Sequence, residues 1–152
     1  MIAENTQTKL PGFNNKVDVG FRVLKLDSSN MKDVYYSPSE TPKITLDGFI
    51  DNIKSDRTHE DLLFQVMLEL NIELSAPIEK LTIEGKEVFS VDNGYLVACF
   101  VDNISNEVVM EIAKRHPYHF VLRDNSMAND SVATNFDQIF KEYSPDTIRK
   151  VL

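Results

Sequence analysis

One segment near the C terminus combines residue types that can bind an anion. Between a predicted strand and a predicted helix it places a guanidinium, two amides and two hydroxyls, on Arg123, Asn125, Ser126, Asn129 and Ser131. Ligands commonly bind where the strands of an α/β fold end, and helix N-terminal amides favour anions. The segment therefore predicts a small-anion site. The alternative is structural: the polar residues cap the helix and Arg123 pairs with a neighbouring aspartate. The lack of a glycine-rich phosphate loop favours this alternative.

A second candidate lies near the N terminus. Arg22 and Lys25 alternate with apolar residues between Phe21 and Leu26, and a pair of tyrosines follows. Basic and aromatic side chains together can contact phosphates and bases, so these two cations are candidates for nucleic-acid contact. Neighbouring aspartates offset their charge. A strand edge whose side chains alternate between core and solvent explains the same pattern.

The other reactive residue types predict no catalysis. His116 and His119 are separated by a proline, which makes a preformed metal site improbable. Cys99 lies within an apolar run, where a thiol usually fills space and is unreactive. The sequence therefore predicts no catalytic, cofactor or metal-ligating residue.

Composition and charge limit the class of protein. The 152 residues are 42% hydrophobic and 26% charged, as in a globular protein. The longest apolar run, Tyr95 to Val101, is far shorter than the roughly 20 residues of a membrane span. With no signal-peptide pattern and a single cysteine, we expect a cytoplasmic protein without membrane contact.

The net charge of −8 is unevenly distributed. Residues 1–54 hold seven Lys/Arg and seven Asp/Glu, whereas residues 55–152 hold nine and seventeen. Because DNA binding generally requires a basic surface, the C-terminal part is a poor candidate for contact with DNA.

Periodicity divides the chain into segments. Residues 1–16 show none and read as a flexible arm or linker, and residues 17–152 read as a single α/β domain. Within it, residues 17–54 suggest a linking segment with a strand from Gly20 to Leu26 and a helix from Leu46 to Ile53. Residues 55–152 should form the compact core.

The sequence pattern of this core predicts an α/β (α+β) fold with a mixed sheet. Thr58 and Asp61 resemble a capping box at the start of a helix. Three short strands then form a meander, with a turn signal at Asn93 and Gly94. Strand, helix and strand follow as a βαβ unit, so helices should pack on a sheet with antiparallel and parallel pairs. We expect one more helix and a short terminal helix after Ser144.

Three long stretches carry a resemblance to a known family, and they comprise residues 20–32, 56–68 and 123–152. The chain resembles the C-terminal region of the modification subunit of type III restriction-modification systems, an adenine-specific DNA methyltransferase. In that family an Asp-Pro-Pro-Tyr motif binds the target adenine, and a Phe-x-Gly-x-Gly motif binds S-adenosylmethionine. Neither motif occurs here. The resemblance thus implies a non-catalytic domain without a cofactor, whose parent enzyme binds S-adenosylmethionine.

The resemblance also implies the partners. They would be the remainder of the methyltransferase subunit, the helicase-nuclease restriction subunit, and a second copy in a homodimer, with DNA reached only through the parent complex. The acidic C-terminal part favours protein contacts, so we expect subunit assembly or docking. The alternative is a regulatory α/β module that binds a small anion through residues 123–131.

Overall fold

The computed structural model describes residues 21–32, 52–127 and 130–152, and within them a mixed five-stranded sheet forms the centre. The strand order is β1-β2-β3-β4-β5, which follows the chain. The first three strands pair antiparallel, and β3, β4 and β5 pair parallel. This confirms the predicted α/β fold with antiparallel and parallel pairs.

The helix α1, His59–Glu69, covers one face of the sheet. Thr58 is its N-cap: its hydroxyl accepts a hydrogen bond from the amide of Asp61 at 3.2 Å, and its own amide donates to the Asp61 carboxylate at 2.8 Å. Both halves of the predicted capping box are therefore present. The buried side chains of the helix are Leu62, Leu63, Val66 and Met67.

Left-handed residues make the turns of the antiparallel part. The strands β1, Ile78–Ile83, and β2, Lys86–Val91, are joined by Glu84 and Gly85, with φ of 48° and 75°. Asp92, Asn93 and Gly94 also have positive φ before β3, Leu96–Cys99, begins. Two consecutive left-handed residues match the right-handed twist of a hairpin. The predicted meander and its turn are confirmed.

Two βαβ units build the parallel part. The helix α2, Asn106–Ala113, joins β3 to β4, His119–Leu122, and α3, Asp130–Tyr143, leads from β4 to β5, Ile148–Val151. When two crossover connections have the same handedness and lead to successive strands in the same direction along the sheet, their helices lie on the same face. Accordingly, α2 and α3 contact each other and share a core with the sheet face opposite α1. Every residue of β3 is buried.

The predicted terminal helix after Ser144 is wrong, because that segment forms the fifth strand. The Thr147 hydroxyl is buried and donates to the Pro117 carbonyl at 2.6 Å, and it lies 2.7 Å from the Ser144 hydroxyl. The amide of Ile148 then donates to the Tyr118 carbonyl at 2.9 Å. These bonds start a ladder with β4, whose outer edge would otherwise remain unpaired.

The N-terminal predictions also change. Residues 21–26 form no strand, since the described residues offer them no backbone ladder. Ile53, the last residue of the predicted 46–53 helix, makes an isolated bridge with Met31 instead. Residues 1–16, and 46–51 of that helix, lie outside the described residues. None of the helices in the described ranges has the length and apolar character needed to cross a membrane.

Replacing Thr147 with valine tests how the fifth strand begins. Thr147→Val would leave the buried Pro117 carbonyl without its donor, so we expect the free energy of unfolding to fall by about 1–3 kcal/mol. Denaturant unfolding measures it. Thr82→Val, on an exposed position of β1, is the control and should change stability little. Equal effects of the two variants would contradict the role given to this hydroxyl.

Candidate interaction surface

Residues 21–32 lie against α1, held largely by one arginine. The Arg57 guanidinium, whose side chain is 11% exposed, lies 3.0 Å from the Asp27 carboxylate and donates to the Ser28 hydroxyl at 2.7 Å. Lys54 also donates to that hydroxyl, at 3.2 Å. We call this set of contacts the Arg57 clamp. Its contacts join positions that are 26, 29 and 30 residues apart in the chain.

Backbone pairing reinforces the clamp. The Lys32 amide donates to the Asn52 carbonyl at 2.8 Å, and the Lys54 amide donates to the Asn30 carbonyl at 2.9 Å. The Asn30 side-chain amide also donates to the Asp61 carbonyl of α1 at 3.1 Å. The backbone around Lys32 therefore lies beside the backbone around Asn52.

The charge on Asp27 is favoured in the folded state. A hydrogen bond from the Ser28 amide is the main cause of its lowered pKa, and the hydrogen bond and charge of Arg57 lower it further. The clamp is thus built for an ionised carboxylate. It should persist at neutral pH.

An exposed apolar surface results from this attachment. Phe21 is 90% exposed, Leu26 is fully exposed and Leu68 of α1 is 61% exposed. We call it the apolar strip, and its members are Phe21, Val23, Leu24, Leu26 and Leu68. Leu24, Leu26 and Leu68 also line a groove of about 480 Å³ between the segment and α1. Clustered exposed apolar side chains commonly mark protein contacts.

The two predicted nucleic-acid contacts differ in their surroundings. The Arg22 guanidinium donates to the Leu74 carbonyl at 2.6 Å and lies 5.3 Å from the centre of the Phe64 ring. It therefore holds the segment against α1. Lys25 lines the groove beside the apolar strip. The nucleic-acid role of these two residues stays a prediction.

The predicted anion segment is tied into neighbouring loops. The Ser126 side chain is buried, and its hydroxyl accepts from the Arg123 amide at 3.3 Å. The guanidinium of Arg123 lies 3.7 Å from the Asp102 carboxylate, and the Asn125 carbonyl accepts from the Asn103 amide at 3.4 Å. Ser131 belongs to α3, and Asn129 lies outside the described residues. The observed contacts favour the structural role of this segment.

The remaining reactive side chains show no assembled chemistry. Cys99 is buried, burial raises the pKa of its thiol, and the thiol lies 3.4 Å from the Glu87 carbonyl. Burial also lowers the pKa of His119. Across the described ranges, no three His, Cys, Asp or Glu side chains come together as a metal site would require.

The comparisons with known proteins add no relative: no family model matches this sequence, and no curated protein matches it. The resemblance to a type III modification subunit therefore stays a prediction. The apolar strip is the surface on which the functional argument rests.

Sequence reasoning missed the apolar strip. The alternation from Phe21 to Leu26 predicted a strand with one buried face, whereas these side chains lie largely exposed beside α1. Only the opposite charges of Asp27 and Arg57 could have predicted that this segment lies against α1. Nothing in the sequence distinguishes that pair from the many others available.

Removing the guanidinium should release the segment from α1. Arg57→Met keeps the apolar length of the side chain and removes the ion pair, so amide hydrogen exchange at Lys32 and Lys54 should accelerate about tenfold to a hundredfold. Exchange in β3 should be unaffected. Arg115→Met, at an exposed position, is the matched control. Unchanged exchange at both amides in Arg57→Met would refute the clamp.

The clamp should also depend on pH in a defined direction. Because the folded-state pKa of Asp27 lies below its ordinary value of 3.8, the ion pair stabilises the attached segment above that pH and is lost as the pH falls through the folded value. We expect a carboxyl-carbon NMR titration of Asp27 to have its midpoint below 3.8. In Arg57→Met the midpoint should rise, yet stay low because Ser28 still donates. An identical midpoint in both proteins would contradict the pairing.

Proposed function

We propose that this chain is the non-catalytic C-terminal domain of the modification subunit of a type III restriction-modification system, and that it serves subunit assembly. The apolar strip carries the proposal. It would dock on the restriction subunit or form part of the methyltransferase dimer. In this proposal the methyltransferase chemistry and S-adenosylmethionine binding belong to the remainder of the parent enzyme.

The composition of the apolar strip supports a protein partner. Interface cores are depleted in charge and enriched in aromatic and apolar side chains. The strip offers Phe21, Val23 and Leu26, each at least 70% exposed, and Leu26 shares a groove with Leu68 of α1. Such side chains gain free energy when a partner removes them from water, at roughly 25 cal/mol per Å².

The form of the segment supports docking of a polypeptide. Residues 21–27 run without secondary structure, and no backbone hydrogen bond joins any of them to another described residue. An extended partner chain could therefore pair with this backbone while its side chains enter the groove beside Leu24 and Leu68. Main-chain hydrogen bonds and apolar contacts would both stabilise the complex.

The charge distribution weighs against direct DNA binding by the larger part of the domain. Residues 55–152 carry seventeen acidic and nine basic side chains, and phosphates are repelled by such a surface. Of the two basic candidates, Arg22 already contacts Phe64 and the Leu74 carbonyl. Contact with DNA through the parent complex is consistent with both observations.

Calorimetric titration of the chain into the restriction subunit, without DNA, tests the proposal. We expect saturable binding by the natural sequence. In Leu26→Ser/Leu68→Ser, two exposed apolar side chains become small and polar without opening the core, so the affinity should fall at least about tenfold.

The matched control is Val151→Thr, which alters an exposed apolar residue of β5 away from the strip and should bind normally. Sedimentation of the chain alone separates dimerisation from docking on the restriction subunit. If neither assay shows association, or if the double variant associates as well as the natural sequence, the assembly role of the strip is wrong.

A further inference from the structure

A separate cluster of aromatic rings lies where β3 and β4 begin. The Tyr95 and Tyr118 rings stack with centroids 5.0 Å apart and planes 8° from parallel. The His119 ring stands edge-on to both, at 75° and 78°. Tyr95 is 39% exposed and Tyr118 is 51% exposed. Two stacked tyrosines therefore face solvent.

The helix α1 does not cover the whole of its face of the sheet, because one helix cannot span five strands. Strands about 4.8 Å apart make this sheet roughly 19 Å wide, whereas a helix is about 10 Å across. The helix α1 ends at Glu69, whose carboxylate pairs with Lys150 of β5. Ile148, two residues earlier on the same face, is 48% exposed and is the β5 neighbour of His119.

A cavity of about 510 Å³ adjoins the stack through Tyr95. Its lining residues include Glu73, Asp92 and Asn71, and no basic residue. Tyr118 is not among them, so Tyr95 is the member of the stack that borders the cavity. An aromatic residue and two acidic residues therefore line the same cavity.

We propose that this cavity binds an arginine side chain of a partner polypeptide. A guanidinium is planar and cationic, so it can stack on the Tyr95 ring while it donates hydrogen bonds to the Asp92 and Glu73 carboxylates. An alkylammonium would gain the charge attraction but lose the stacking. The acidic excess of residues 55–152 attracts the same partner at longer range.

The lining of this arginine site includes no member of the apolar strip. Its residues come from the connection between α1 and β1, from Asp92 of the β2–β3 turn and from Tyr95. A partner that docks on the strip need not reach it. The site can therefore be tested on the isolated chain with small probes.

Asp92 can be replaced without disturbing the turn in which it lies. It lies in a turn at φ 50°, a conformation that asparagine tolerates well. Asp92→Asn therefore removes one charge and keeps the turn. Glu84→Gln is its matched control, because Glu84 occupies the turn at the opposite end of β2, also with positive φ, and does not line the cavity.

The experiment is an NMR titration of the isotope-labelled full chain with N-acetyl-argininamide. We expect saturable shifts confined to the amides around Asn71, Asn93 and Tyr95. The neutral isostere N-acetyl-citrullinamide should give none, and N-acetyl-lysinamide should bind more weakly. Asp92→Asn should weaken binding at least about fivefold, while Glu84→Gln should stay within about twofold of the natural sequence.

Several results would overturn the proposal. They are the absence of saturation up to roughly 20 mM argininamide, equal shifts with the citrulline probe, and shifts located elsewhere. Equal affinity for the lysine probe would overturn the selectivity for arginine. If the NMR spectrum shows that Asp92→Asn is misfolded, Glu73→Gln is used in its place. Unchanged affinity in Glu73→Gln would contradict the role given to the acidic residues.

Discussion

Burial of β3 on both faces is the constraint on which the fold depends. All of its residues, Leu96–Cys99, are inaccessible, so stable packing requires a helical layer above and below the sheet. Val97 and Cys99 face the layer of α2 and α3, and Leu96 and Ala98 face α1. The antiparallel strands β1 and β2 extend the sheet on one side of β3, and the parallel strands β4 and β5 extend it on the other.

Chain connectivity then distributes the helices unevenly. Both parallel crossovers advance in one direction, so α2 and α3 pack on one face and α1 is left to cover the other. The side of α1 turned from the sheet receives residues 21–32. The sheet beyond the end of α1 keeps Ile148 exposed. One face of the sheet is therefore covered by one helix and the opposite face by two.

Local signals made most of the fold predictable. The Thr58 cap and the left-handed turn at Asn93 and Gly94 depend on residues only a few positions apart. The fifth strand was not predictable in this way, because Ser144 followed by proline is a good helix start and only the unpaired edge of β4 selects a strand. The apolar strip depends likewise on Arg57, about thirty residues from its partners. Tertiary contacts overrode a local pattern in both places.

Attachment of residues 21–32 through a small number of side-chain and backbone contacts has a consequence for assembly. The segment contributes Met31 to the core through its bridge to Ile53, whereas the exposed side chains from Phe21 to Leu26 contribute little. Its detachment would leave the sheet ladders intact, so it belongs to the least stable part of the described chain. A partner that binds the attached form would favour the closed clamp, and one that pairs with the free segment would favour its release. The ion pair of Arg57 with the ionised Asp27 belongs to the attached form.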